Sequence, residues 1–314
     1  MNISDVVTEY VTYKRALGLR FNTEANIFAS FCRHSGVGEV PIASITADCI
    51  RRFLDGDTPI SSYWVRKHTA FAGLYRYALS RGYTTASPVP RYCPQCPSPL
   101  IPYIYSQAEL KRLLDATPAA CGRQVPLEAY VLRSLILLLY GACLRLGEAL
   151  RLTLQDVDLD QAVLCVRESK FYKTRLVPLG KDLSLAMEQF QRQRHLAFTQ
   201  NTDSPFFCFR DGRALTQSAV RSAFRRLRIL AGVHRNDGAR YQPRLHDLRH
   251  AGAVHRLVAW YRSGEDLQHL LPQLATYLGH IDLNATQRYL TLTPELLREA
   301  SLRFEHYATE AHHD

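Results

Sequence analysis

Apolar residues recur at three- and four-residue intervals over Val6–Leu17 and Thr23–Cys32, a spacing that predicts two amphipathic helices. Thr46-Ala-Asp opens a short helix over Cys49–Leu54, and a longer one over Ser62–Ser80 closes at Arg81-Gly82. The pattern breaks at Ser87–Pro102 (SPVPRYCPQCPSPLIP). Repeated proline removes backbone donors and keeps the preceding residue out of helix, so this stretch reads as an extended linker. Beyond it, Ser106-Gln-Ala-Glu109 has the form of a capping box opening a helix, and Leu127–Gly141 is a strongly apolar helix. Ala162–Val166 and Arg175–Val177 are short strands separated by Glu168–Thr174, which fits a β-hairpin or small sheet. Helices resume at Leu183–Ala197, Gln217–Ala231, His246–Ser263, Leu267–Leu278 and Pro294–Tyr307, with Pro294 at a favoured first-turn position. The expected fold is mainly α with a small antiparallel β-sheet: a helical domain over 1–86, a proline-rich linker over 87–102 and a second domain over 103–314.

Composition narrows the classes. The 314 residues are 46% hydrophobic and 22% charged, which excludes collagen-like, coiled-coil and wholly disordered chains. The formal charge is +10, and of 39 cations 33 are Arg and six are Lys. Guanidinium binds phosphate with two parallel hydrogen bonds, so the skew points to a polyanion, nucleic acid first among them. On Ser62–Ser80, basic and aromatic residues interleave, and Arg66, Lys67 and Arg76 are candidate DNA contacts; the same residues equally suit an ordinary solvated helix face. The longest apolar run, Ser134–Leu144, falls short of the ~20 residues of a membrane span, so it reads as a buried helix and no membrane partner is expected. No signal-peptide pattern opens the chain, which gives an expected cytoplasmic location. The eight cysteines, several in apolar settings such as CIRRFL and LCV, are expected reduced. Cys93-Pro-Gln-Cys96 has no second ligand pair and no helix behind it, so neither a metal nor a redox role is expected there.

Four segments of the second half carry candidate chemistry. In GACLRLGEAL, Arg145 ends an apolar helix; a cation there needs a partner, and an ion pair with Glu148 at i,i+3 is the plain alternative to a functional role. SKFYKTRLVPL places Lys170 and Lys173 in the turn between the two strands. In LHDLRH, His246 and Arg249 share a face at a helix start, where the backbone also favours an anion. In YLGHIDLNATQRY, Gly279-His280 closes a helix and Tyr289 follows. Together these residues suit one reaction. Arginines and histidines can stabilise charge growing on the non-bridging oxygens of a phosphodiester, a lysine can protonate a leaving hydroxyl, and a tyrosine can attack phosphorus. No Mg²⁺-type carboxylate cluster lies near them in sequence, so cationic side chains stand where a metal clamp would.

The order Arg145, Lys170, His246-x-x-Arg249, His280, Tyr289 closely resembles the tyrosine recombinases, the phage-integrase family, and the resemblance covers nearly the whole chain. It implies a core-binding (SAM-like) DNA-binding domain before the linker and an integrase-type catalytic domain after it. Arg145 matches the first family arginine, with Glu148 its acidic neighbour. Lys170 matches the β-hairpin lysine, the register being set by Arg175-Leu-Val-Pro-Leu, which disfavours Lys173. His246 and Arg249 match the HxxR pair, His280 the His/Trp position and Tyr289 the nucleophile. The implied activity is site-specific DNA recombination through a 3′-phosphotyrosyl intermediate, without metal, ATP or other cofactor. It serves integration, excision or resolution of a mobile element. The implied partners are duplex DNA with an inverted-repeat core site and three further copies in a homotetrameric synapse, with room for accessory or sister recombinases. The location implied is the bacterial cytoplasm at the nucleoid.

Apolar positions of the last helix, Leu296, Leu297, Ala300 and Phe304, suit packing on a neighbour or within the monomer. The chain between Arg249 and His280 is longer than in compact Xer-type members, near Tyr261–Pro272, which suggests a transposon-borne subgroup. Leu-Thr-Leu follows Tyr289 where many relatives carry Thr-His or Ser-His. A type IB topoisomerase shares this chemistry but not the domain order. A non-catalytic DNA-binding protein or a basic scaffold leaves the six matched residues unexplained.

Overall fold

The computed structural model describes residues 1–56, 60–92, 94, 101–121, 126–167, 174–197, 201–280, 286–287, 298 and 301. Lys170, Tyr289, the Cys93 and Cys96 pair and most of the helix expected over Pro294–Tyr307 lie outside the described residues. The chain divides into two compact units, Met1–Leu100 and Ile101–Asp314.

The first unit is built from α1 (Ile3–Ala16), α2 (Asn22–Ser35), α3 (Ala47–Asp55) and α4 (Ser62–Ser80). Thr46 caps α3, its hydroxyl accepting from the Cys49 N–H at 3.3 Å. On α4 the positions Trp64, Lys67, Phe71, Leu74 and Ala78 follow the three- and four-residue spacing and all point inward. Phe28, Phe31 and Phe53 meet Phe71 edge-on at centroid distances of 5.5, 4.9 and 5.9 Å, which fixes α4 against α2 and α3.

Lys67 therefore departs from expectation. It is 9% exposed, and its ammonium donates to the carbonyls of Phe53 (2.5 Å) and Leu54 (2.6 Å) at the end of α3. It serves as a C-terminal cap, where a cation also meets the negative end of the helix dipole, and does not present its charge to a phosphate backbone. Arg66 is exposed and paired with Glu24 at 2.9 Å, and Arg76 is exposed.

The second unit begins with α5 (Gln107–Asp115), α6 (Thr117–Ala120), α7 (Ala129–Gly141) and the single turn α8 (Leu146–Ala149). The capping box at Ser106 and Glu109 opens α5. An antiparallel sheet of order β1-β2-β3 follows, with β1 at Val157–Asp158, β2 at Val163–Val166 and β3 at Arg175–Pro178. Only β2 and β3 were anticipated, since β1 is two residues long and carries no alternation to read. Leu164 pairs with Val177 and Val166 with Arg175, so Arg175 sits at the hairpin end of the ladder. The unit continues with α9 (Lys181–Ala197), α10 (Gln217–Leu230), α11 (Leu245–Arg262) and α12 (Leu267–Leu278).

α7 forms the middle of this unit, with Leu132, Leu135, Ile136 and Leu139 buried. It packs against α9 and α11. α11 crosses it at Gly252, where a Cβ would lie 2.1 Å from the Tyr140 carbonyl oxygen; only glycine lets the helices approach this closely. The approach lays Arg249, one turn before Gly252, against the chain leaving α7. Among the described residues, no helix is long and apolar enough to cross a membrane.

Candidate active site

The chain leaves α7 through Cys143, whose φ of +50° turns it sharply, and Arg145 then opens α8. Glu148, on that turn, is buried at 4% exposure. A carboxylate buried so deeply must be paired. Its oxygens accept from the Arg145 backbone N–H (2.9 Å), Arg145 Nη1 (2.8 Å), and Arg175 Nη1 (3.1 Å) and Nη2 (3.0 Å). Arg249 Nη1 stands 3.9 Å from the same group. Burial would raise the Glu148 carboxyl, but the two hydrogen bonds and charge of Arg175, followed by Arg145, hold it down at about 2. One carboxylate thus gathers three guanidiniums.

The end of α12 gathers the same three. Its closing carbonyls have no partner inside the helix, and they carry the negative end of its dipole. Arg175 Nε donates to Tyr277 O (3.1 Å), Arg249 Nη2 to Leu278 O (2.5 Å) and Arg145 Nη2 to Gly279 O (3.2 Å). Arg249 Nη1 also donates to Cys143 O at 2.6 Å. Gly279 ends α12 in the left-handed region at φ +65°, and the His280 N–H returns to Ala275 O at 2.9 Å. A Cβ on Gly279 would lie 2.7 Å from Arg175 Nη1, so the closeness of the guanidinium is a second reason for glycine. This helix end places His280 at the edge of the arginine cluster.

His246 and Arg249 occupy the first turns of α11. His246 meets His250 edge-on at a centroid distance of 4.7 Å. Burial, then the positive charges of Arg249, Arg145 and Arg175, push His280 down to about 4. Burial and then His246 and Arg249 push His250 down to about 3. His246, though solvent reaches it, is lowered as well, by burial and then by Arg249. All three imidazoles are neutral at pH 7, so the charge of the cluster comes from arginine and histidine contributes hydrogen bonds. An arriving phosphate would shift all three upward.

Four of the six expected residues are described, and they converge: Arg145, His246, Arg249 and His280. Lys170 and Tyr289 lie outside the described residues, although Arg175, which fixed the Lys170 register, begins β3 within the cluster. In the sequence, Arg175 stands out only as a marker of register. Strand alternation turns it inward: side chains two apart share a face, and Val177 is buried while Leu176 is 67% exposed. His250 and Thr286 were also passed over; Thr286, fully buried, lies 2.8 Å from His280 Nδ1. The arginine cluster with its single buried carboxylate can hold a doubly charged oxyanion and stabilise charge that grows on it.

Known proteins resemble the chain over the same region. The profile of the phage integrase family matches residues 105–295. A Sinorhizobium fredii protein described as an integrase/recombinase, y4rE, is 33% identical over 96% of this chain and 95% of its own length. Tyrosine recombinase XerC of Oceanobacillus iheyensis is 29% identical over 90% of this chain and 88% of its own. Among solved structures, the Tn1549 transposon integrase bound to circular intermediate DNA covers 96% of this chain and 99% of its own, with TM-score 0.69 and 15% identity. The lambda integrase dimer bound to a core site covers 92% and 95%, with TM-score 0.65 and 17% identity.

Proposed function

The chain belongs to the phage integrase family of tyrosine recombinases, enzymes that cut and rejoin DNA, and from that membership we propose how its own residues carry out the reaction. The observation that carries the assignment is the convergence of Arg145, Arg175 and Arg249 on Glu148 and on three consecutive carbonyls, Tyr277 to Gly279, directly before His280.

Arg145, a third exposed, and Arg249, buried behind it, stabilise the negative charge that grows on the non-bridging oxygens of the scissile phosphate. The Tyr289 hydroxyl attacks phosphorus. His246, neutral, accepts the tyrosine proton, and Lys170 gives a proton to the departing 5′-oxygen. The P–O5′ bond breaks as the P–O(tyrosine) bond forms, leaving a 3′-phosphotyrosyl ester and a free 5′-hydroxyl. A 5′-hydroxyl from the partner duplex reverses the step, so bond energy is kept and no nucleotide is consumed. His280 donates a hydrogen bond to a non-bridging oxygen. Arg175 positions the cluster through Glu148 and α12.

We assign DNA contact to residues 1–86 and the chemistry to residues 103–314, with 87–102 as linker. The substrate is duplex DNA with an inverted-repeat core site, and the active assembly is a homotetramer on two such sites, in the bacterial cytoplasm. The Tn1549 transposon integrase and the lambda integrase, both of like fold and bound to DNA, support the DNA substrate, and the transposon origin of the first supports a mobile-element setting.

A nicked suicide duplex carrying the core site tests the chemistry. Wild-type protein is expected to trap a covalent protein–DNA adduct, and Tyr289→Phe to trap none. An undiminished adduct in that variant removes Tyr289 from the mechanism.

A further inference from the structure

We propose that Thr286 is a positioning residue that fixes the tautomer of His280, its hydroxyl donating to Nδ1 so that the ring proton resides on Nε2. The inference rests on the reading of His280 as a donor to phosphate oxygen.

Thr286 Oγ1 and His280 Nδ1 lie 2.8 Å apart, a hydrogen-bond distance that fits either direction of donation. Thr286 is fully buried, where a hydroxyl must be bonded. His280 is only partly buried and is already held at both ends of its backbone turn, by the left-handed Gly279 and by the return of its N–H to Ala275 O.

The direction follows from the charge around the ring. Burial, and after it the charges of Arg249, Arg145 and Arg175, oppose a positive ring, so the ring carries one proton at neutral pH. A neutral imidazole is a donor at one nitrogen and an acceptor at the other. If Nδ1 carried the proton, Nε2 would offer a lone pair to an anion and repel it. With the Thr286 hydroxyl donating to Nδ1, Nε2–H becomes the donor that an oxyanion needs. A hydroxyl can rotate to do this, whereas a carboxylate at the same place can only accept, which would keep a proton on Nδ1.

The full-length protein, with ¹⁵N-labelled histidine, tests this directly in long-range ¹H–¹⁵N spectra, the His280 signals being assigned by their loss in His280→Asn. Wild type and Thr286→Ser are expected to show the Nε2–H tautomer. Thr286→Val keeps the shape and loses the hydroxyl; it is expected to populate Nδ1–H. Adduct formation on the nicked duplex should then fall about 10- to 100-fold, the scale of losing a group that orients a donor, with DNA affinity unchanged. Rescue by serine and not by valine is an outcome that a merely structural role would not give. An Nδ1–H tautomer in wild type, or a Thr286→Val protein unaltered in both tautomer and cleavage, overturns the inference. Absence of an adduct from wild type would instead strike at the reading of the site, and the tautomer, measured without DNA, would still judge Thr286.

Discussion

Two buried cations in this protein are bonded alike. Lys67 in the first unit donates to the carbonyls of Phe53 and Leu54; Arg249 in the second donates to those of Cys143 and Leu278. Both bond carbonyl oxygens at places where a helix ends or the chain turns away from one. They differ in what else is near. The Lys67 carbonyls are consecutive at one helix end, and burial lowers its affinity for a proton. The Arg249 carbonyls come from two distant segments, one leading to Arg145 and the other to His280, and a buried carboxylate with two more guanidiniums adjoins it. A buried cation is thus no sign of a site. Convergence of several segments on it, with charge left over, is. Lysine can also lose its proton in such surroundings, whereas arginine remains charged and keeps a planar fork.

The largest effect should come from breaking that fork. Arg249→Lys and Arg145→Lys keep the charge and lose the paired geometry. Each is expected to lower the rate of adduct formation by about 10²–10³-fold, the loss seen when one oxyanion donor is removed, with DNA binding retained. Single-turnover cleavage at saturating protein measures it. A lysine variant that cleaves at the wild-type rate would place Arg249 beside Lys67 as a structural cation.

Glu148→Gln attacks the carboxylate. Removing one partner from a buried ion cluster costs about 3–5 kcal/mol, so the second unit should melt well below wild type. A related pH dependence has two parts. His280 and His250 are held below their ordinary value, at about 4 and about 3, so the unfolded chain binds protons that the folded chain does not. Stability then falls as pH drops from about 6.5 toward 4, by up to ~1.4 kcal/mol per pH unit for each proton taken up. Glu148, held at about 2, contributes stability that is full above about pH 4.5 and is lost as pH falls further. Thermal melts between pH 7 and pH 3 separate the two windows. A flat profile from pH 7 to pH 5 would mean the histidines are not held neutral.

Much of this was legible in the sequence, for identifiable reasons. Long periodic helices such as Ser62–Ser80 and Leu267–Leu278 were readable because burial repeats along them, and their ends match in the fold. The two-residue strand Val157–Asp158 was not, since nothing repeats. Arg145 was visible as a cation among apolar neighbours, and Arg249 by its three-residue spacing from His246. The gathering role of Glu148 and Arg175 was not, because it depends on a hairpin end, a one-turn helix and a helix C-terminus meeting in space. Lys67 is different again. Its spacing from Trp64 and Phe71 already placed it on the inward face of α4, and reading it with Arg66 as part of a basic surface weighed residue type above register.

Lys67→Met should cost about 1–2 kcal/mol through the two carbonyls it leaves unbonded, read as a lowered midpoint of urea unfolding. It should leave adduct formation at saturating protein unchanged. Loss of cleavage without loss of stability would overturn its assignment as a cap.

The smallest expected effect discriminates most finely among the basic residues of α4. A cation that neutralises a phosphate releases counterions, and each such contact adds about 0.9 to the slope of log affinity against log salt. Arg76→Ala, removing an exposed charge, should reduce that slope by about one contact and weaken affinity for all duplexes alike. Arg66 already shares its charge with Glu24, so Arg66→Ala should shift the slope less. Lys67→Met should not shift it at all, because its ammonium faces the end of α3. Binding titrations of the three variants at several salt concentrations give the slopes. Equal slopes for Arg76→Ala and Lys67→Met would mean that the exposed arginine makes no phosphate contact, if both match wild type, or that the buried lysine does, if both are reduced.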